Sequence, residues 1–211
     1  MAVTDQEQVP IPRQEEGRQS DIVEQRSFAT AQLAREAFLL ARNRLLDINY
    51  WGRISAGLSA DFSLLDETGN KLERAPLPKD FIRIDLPGPG SLAGHGYDWV
   101  QIEAVEESEA DTRRQAVLLR VRPSQDPSLP EGPAHFFDPR ASSTFLLERT
   151  GQVLRAGIHG RNEQTAVAAK KIDTLRNTVV SELAALGAAA IQWKKLANAI
   201  LGIDDAGNAV V

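Results

Sequence analysis

The chain has 211 residues and a mass of 23.1 kDa, which is enough for one sizeable hydrophobic core. Its hydrophobic fraction of 42% and charged fraction of 25% are typical of globular proteins and argue against disorder throughout. A net charge of -5 argues against nucleic acid as a partner, because phosphate binding needs concentrated lysine and arginine, and the lack of cysteine excludes disulfides and thiolate metal sites.

The chain is predicted to begin with a disordered acidic tail and a helix. Residues 1–20 are rich in Pro, Gln and Glu and have no apolar period, so they cannot bury enough surface to offset their ordering entropy. Asp21 and Glu24 then resemble a capping box, and apolar residues follow at spacings of three or four. The pattern predicts an N-terminal helix over 21–47, with an apolar face made of Phe28, Ala31, Ala34, Phe38, Ala41 and Leu45.

A β-rich core is predicted over 48–162. Strand-like runs bounded by turn residues occur at 62–65, 81–86, 99–105, 116–122, 144–148 and 153–158. The runs Pro87–Gly90 and Pro123–Pro133 are predicted as loops, because proline cannot donate to a sheet ladder. We therefore expect an α+β fold built on about six mainly antiparallel strands, arranged as a small β-barrel of SH3-like type or as a curled sheet.

Two segments of this core share the pattern L-L-acid-x-T-G-x-x-L. They are Leu64–Leu72 and Leu146–Leu154. The pattern indicates either an internal duplication or, preferably, two separate hairpins in which Gly69 and Gly151 take the left-handed conformation.

The segment 163–203 is predicted to be helical and 204–211 to be a short tail. Apolar residues from Ile172 to Ile200 repeat at three and four without losing phase. Gly187 marks either a kink in one long helix or the turn of a helical hairpin, and Gly202 is predicted to end the helix. The alanine-rich seam of this segment would allow self-association through the C-terminal helix, or packing on the chain's own β core.

All three histidines stand in the frame H-x-x-[DN]. This arrangement suggests a divalent metal site, because imidazole and carboxylate are common ligands of zinc, iron and manganese. The alternative is that each histidine forms local hydrogen bonds in a loop. No other cofactor is predicted. The candidate ligands are His95, Asp98, His135, Asp138 and His159.

A recognition surface is also predicted, at one end of the β core. Aromatic and arginine side chains dominate the energetics of protein interfaces, and several of them fall near strand beginnings and loop exits. The candidate residues are Tyr97, Asp98, Trp99, Phe136, Phe137, Arg140 and Arg161.

No catalytic motif is recognised, so the first hypothesis is a structural or protein-interaction module that binds a protein partner or a second copy. The alternative is a metal-dependent hydrolase or small-ligand-binding protein that uses the three histidine segments. No run of about 18 apolar residues is present and the first 25 residues are polar, so we expect a cytoplasmic protein that is not inserted in a membrane.

Overall fold

The computed structural model describes residues 11–55, 60–85, 97–111, 113–128, 140–163, 191–204 and 207–209. Within them the chain forms seven strands, two α-helices and a short 3-10 helix (Ile48–Tyr50), followed by a C-terminal helix over 191–201. The named elements are β1 (Arg18–Ser27), α1 (Ala31–Leu46), α2 (Trp51–Ile54), β2 (Asp61–Leu65), β3 (Phe81–Asp85), β4 (Asp98–Asp111), β5 (Arg114–Ser124), β6 (Ser142–Thr150) and β7 (Val153–Glu163).

The seven strands form one open antiparallel sheet in the order β1-β7-β6-β5-β4-β3-β2. The α+β class is confirmed, but the prediction of a closed SH3-like barrel is wrong, because β1 and β2 remain the two edges of the sheet. One face of the sheet, the inner face, is covered by α1 and the C-terminal helix. Its apolar side is therefore buried without a facing wall of strands.

All six predicted strand runs are strands in the structure, and most are longer than predicted. The predicted helix over 21–47 is wrong in its first part, because residues up to Ser27 belong to β1 and pair with β7. Helix α1 starts only after Thr30, whose hydroxyl accepts a hydrogen bond from the N–H of Leu33. The predicted apolar face is buried at Ala34, Phe38, Ala41 and Leu45.

Strand β1 joins the two ends of the chain. Besides pairing with β7, it contacts the C-terminal helix through two charged side chains on its inner face. Arg26 donates to the carbonyls of Leu201 and Gly202, both at 2.9 Å, and Glu24 lies 3.5 Å from Lys194. The arginine thereby satisfies carbonyls at a helix end, where a cation is also favoured by the helix dipole.

The centre of the core is an aromatic cluster. Trp51 lies 5.4 Å from Phe62 and 4.9 Å from Phe145, measured between ring centroids, and Trp193 of the C-terminal helix lies 5.7 Å from Phe145. Trp51 is 1% exposed, and its indole N–H donates to the carbonyls of Arg44 and Leu45. Trp51 thus connects the end of α1 to the sheet, and Phe145 of the sheet in turn contacts the C-terminal helix.

Both predicted glycine turns are confirmed at the level of the backbone. Gly151 has φ +60° in the two-residue loop between β6 and β7, and Gly69 has φ +84°. The second turn folds Leu72 back onto Leu64, whereas β2 pairs with the more distant β3. The hydrogen bonds between Asp66 and Asn70 in this second turn occur again near the end of the chain. There Asp204 and Asn208 form the same set of bonds.

The C-terminal helix ends where predicted. Gly202 has φ +69°, and the N–H of Ile203 donates to the carbonyl of Asn198. Gly187 and the alanine-rich seam lie outside the described residues. No helix of the described ranges is both long enough and apolar enough to cross a bilayer.

We predict that Trp51→Ala lowers the free energy of unfolding by about 3–5 kcal/mol, because it removes a buried aromatic side chain and leaves a cavity. The neighbouring Tyr50 is 43% exposed, so Tyr50→Ala is the matched control and should change stability by no more than about 0.5 kcal/mol. Urea unfolding followed by circular dichroism measures both. Equal losses for the two variants would contradict the central role of Trp51.

Candidate functional site

The predicted recognition surface begins on the outer face of the sheet, opposite the main core. There Trp99 packs with Leu65 and Phe81 in a second, smaller apolar cluster, and Tyr97 lies half-buried against it. The guanidinium of Arg83 lies 4.6 Å from the centre of the Tyr97 ring. Trp99 itself is 7% exposed, so the accessible part of this cluster is Tyr97 with Arg83.

Asp98 lies on the other face of the sheet from Trp99. It pairs with Ile84, whose side chain packs against the main core. Its side chain reaches solvent, but the surrounding protein partly desolvates the carboxylate and raises its pKa. Asp98 therefore does not belong to the same surface as Trp99. Phe136 and Phe137 lie outside the described residues.

Both arginines of the predicted surface bind carboxylates of the chain itself. Arg140 donates to Glu16 at 2.7 Å. Arg161 is 8% exposed and donates to Asp21 at 2.7 Å and to the carbonyls of Ser20 and Gly160. In the described structure these contacts hold the N-terminal segment against the sheet.

His159 also contacts Asp21. The two residues pair across β1 and β7 on the outer face, and the imidazole Nδ1 lies 2.6 Å from the Asp21 carboxylate. Gly157 lies next to the ring on the same face, and a Cβ at that position would overlap it. His159, Asp21 and Arg161 thus form a compact polar cluster, here called the Asp21 cluster.

The carboxylate of Asp21 is strongly stabilised in its ionised form. Burial raises its pKa, but hydrogen bonds from Gln19, His159 and Arg161 outweigh burial and lower the pKa to about 2. The arrangement orients the imidazole by its Nδ1, as carboxylates do beside many functional histidines.

The positions of Asp98 and His159 exclude a metal site that uses both residues. Asp98 and His159 lie on opposite faces of the sheet and three strand spacings apart, about 14 Å, so they cannot bind one ion. The described residues contain no group of three His, Asp or Glu side chains suited to a metal. His95, His135 and Asp138 lie outside the described residues, so their convergence stays a prediction.

Asn162 binds the N-terminal segment, a contact that was not predicted from the sequence. Asn162 has φ +55° and is 4% exposed. Its side-chain oxygen Oδ1 accepts hydrogen bonds from the N–H groups of Glu15 and Glu16 at 2.7 and 3.2 Å. Its amide donates to the carbonyls of Arg13 and Arg140. Residues 13–16, predicted to be disordered, are therefore bound to the end of β7 through their backbone.

A polar depression of about 420 Å³ lies beside the end of α1. Its lining comes from two segments that are distant in the sequence, and neither segment contains a recognisable motif. Four of its side chains carry charge, two of each sign. Its lining residues are Asp47, Asn49, Tyr50, Arg53, Lys71 and Glu73.

The outward face of α1 carries three exposed leucines, here called the outer leucines. Leu33, Leu39 and Leu40 are 47%, 50% and 55% exposed. The sequence analysis identified only the buried face of this helix. The outer leucines flank the polar residues Gln32, Glu36 and Asn43, which lie at the centre of this outward face.

We predict that Asp21→Asn destabilises the protein by about 1 kcal/mol at pH 7, because it replaces charge-assisted hydrogen bonds with neutral ones at a partly exposed site. The folded-state pKa lies below the ordinary value, so the wild-type carboxylate contributes stability above about pH 4 and loses it as the pH falls towards 2. The variant should therefore lose less stability over this range.

Urea midpoints at pH 7, 4 and 2.5 measure the difference between wild type and Asp21→Asn. Gln25, the exposed neighbour on the same strand face, offers the control Gln25→Ala. A parallel loss in wild type and Asp21→Asn between pH 4 and 2.5 would show that the Asp21 cluster does not stabilise the fold.

No protein-family model matches the sequence, and no curated protein matches it. Among solved structures, a hypothetical protein from Helicobacter pylori is 11% identical, covers 93% of this chain and 98% of its own, and has a TM-score of 0.51. A truncated norcoclaurine synthase from Thalictrum flavum is 12% identical over 86% of this chain and 96% of its own, with a TM-score of 0.36. The first of these likenesses concerns the fold alone.

Proposed function

We propose that this chain is a non-catalytic interaction module that associates with a second copy of itself through the outer leucines of α1. The observation that carries the proposal is the exposure of three leucines on the solvent side of this helix. Exposed leucine side chains gain free energy when a partner covers them. The inward side is covered by the sheet, so the outward side is the surface left for association.

The spacing of the outer leucines suits helix pairing. Leu33 and Leu40 are seven residues apart and therefore lie on one stripe, two turns apart, whereas Leu39 lies about 100° further round the helix, beyond Glu36 and Asn43. Each leucine exposes about half of its side chain, and full burial of a leucine contributes about 1.5–3 kcal/mol relative to full exposure. Three leucines from each copy would thus supply several kcal/mol towards association.

The polar residues between the outer leucines favour a second copy as the occupant. Glu36 is the charged residue of this stripe, and its carboxylate already accepts a hydrogen bond from Gln32 at 2.7 Å. Asn43 is uncharged. A twofold dimer places the same patch on both sides of the interface, so each copy brings only one carboxylate to it, and that carboxylate keeps its hydrogen bond from Gln32.

The helix is held rigidly enough to present this face. Arg42 forms two hydrogen bonds of 2.6 Å with Glu107 of β4, and Arg35 lies 3.6 Å from Glu109. The bidentate contact lowers the pKa of Glu107 and fixes the rotation of α1 over the sheet. In keeping with the lack of cysteine, we place this function in the cytoplasm.

We predict that the wild-type chain dimerises in the micromolar to millimolar range and that Leu33→Gln with Leu40→Gln raises the dimer dissociation constant at least tenfold. Glutamine keeps the helix propensity while removing the apolar contact. Sedimentation equilibrium over a concentration series measures the constant. Leu77, which is 53% exposed on the loop before β3, provides the matched control Leu77→Gln.

The control variant should sediment like the wild type, and circular dichroism should show that both variants are folded. A wild-type chain that remains monomeric at millimolar concentration would overturn the proposal. An equal effect of Leu77→Gln would likewise overturn it, because the association would then not depend on α1.

A further inference from the structure

We propose that the depression beside α1 is a binding site for a small zwitterion, of the chemical class of free α-amino acids. The depression holds about 420 Å³ and is lined on one side by the end of α1 and the residues after it, and on the other by Lys71 and Glu73. The depression is open to solvent and its lining is mainly polar, which suits a small charged ligand rather than an apolar one. The site is separate from the outer leucines and does not depend on self-association.

The charges of the depression are arranged in an unusual way. Lys71 and Glu73 neutralise each other, with 2.9 Å between ammonium and carboxylate. Arg53 and Asp47, by contrast, have no ion-pair partner in the described parts of the chain, and they are not paired with each other although both line the depression. A separated cation and anion in one depression are complementary to a ligand that carries both charges.

Asp47 lies between two helices. It follows the last turn of α1, and its N–H donates to the carbonyl of Asn43. It is also the N-cap residue of the 3-10 helix Ile48–Tyr50, where a carboxylate is favoured, but its side chain makes no capping hydrogen bond. The carboxylate is therefore available to accept a hydrogen bond from a ligand cation.

The walls of the depression are fixed before any ligand binds. Asn49 accepts the N–H of Leu64 at 2.9 Å and donates to the carbonyl of Leu72 at 2.7 Å, so it ties the short 3-10 helix to the opposite wall. The N–H of Tyr50 donates to the carbonyl of Asp47 at 3.0 Å. A preorganised site loses less conformational entropy on binding.

Each part of an α-amino acid has a matching group. The guanidinium of Arg53 can bind a carboxylate through two parallel hydrogen bonds, and the Asp47 carboxylate can accept from an ammonium group. Tyr50 is 43% exposed, and the Arg53 guanidinium lies 5.8 Å from its ring centre. The exposed part of this ring offers a contact for an apolar or aromatic ligand side chain.

The test is isothermal titration of the full chain with L-phenylalanine and with two analogues that each lack one charge, 2-phenylethylamine and 3-phenylpropanoate. We expect saturable binding of L-phenylalanine with a dissociation constant of millimolar or below, and at least tenfold weaker binding of both analogues. Equal binding of either analogue would overturn the assignment of a zwitterion. Absence of binding by L-phenylalanine, glycine and L-glutamate at 10 mM, about tenfold above that limit, would overturn the site.

Variants locate the binding in the depression. Arg53→Met and Asp47→Asn should each weaken L-phenylalanine binding at least tenfold, whereas Arg35→Met, at an exposed arginine on another side of α1, should not. Asparagine and aspartate are equally good at the N-cap position that Asp47 occupies, so Asp47→Asn should leave the thermal midpoint nearly unchanged while losing affinity. Undiminished binding by both variants would overturn the proposal, and their sedimentation should match that of the wild type.

Discussion

The pairing of β1 with β7 is the contact on which the rest of the described structure depends. It joins residues 18–27 to residues 153–163, so the start of the chain becomes an edge of the sheet. Its register places Asp21 opposite His159 and so creates the Asp21 cluster. The same strand carries Arg26 to the end of the C-terminal helix. A one-residue slip of β1 against β7 would move Asp21 and Arg26 to the other face of the sheet.

The bulge at the end of this pairing extends its effect to the N-terminal segment. The register shifts between Arg18 and Ser20, where β7 contains the left-handed Asn162. The shift turns the Asn162 amide towards the backbone of residues 13–16, which it binds through donors and acceptors at once. Gly17 fits here because its φ is +76° and a Cβ would meet the carbonyl of Glu163. The segment is ordered by hydrogen bonds rather than by apolar burial.

Local signals in the sequence were sufficient for most elements of the sheet. The alternation in Phe81–Asp85 and the left-handed glycines at 69 and 151 are properties of neighbouring residues, so they can be predicted without knowing the fold. Strand β1 could not be found in this way. Its inward positions include Glu24 and Arg26, which face the C-terminal helix rather than an apolar core, so the apolar alternation of a strand is absent. Asp21 and Glu24 also have the spacing of a helix capping box, so a helix was predicted where the strand lies.

The candidate sites were harder to predict than the fold because they depend on contacts between distant segments. His159 could be singled out by its chemistry, but its partner Asp21 lies 138 positions earlier in the chain. The polar depression joins 47–53 to 71–73, and neither segment has a motif by itself. The exposure of the outer leucines was not predicted, because the apolar period of α1 indicates only the face that is buried. Only the position of α1 over the sheet shows which of its leucines stay exposed.

Helix α1 contributes to both proposed surfaces without using the residues that stabilise the core. Its inward side chains, from Ala34 to Leu45, are buried against the sheet, and Arg42 fixes its rotation through Glu107. The outer leucines and the side chain of Asp47 add little to this packing, and Asp47 makes no capping hydrogen bond to the helix that follows it. Side chains that are apolar yet exposed, or charged yet without an ion-pair partner in the described residues, lie away from the structural optimum. Their positions are explained more simply by contacts with other molecules than by the stability of the fold.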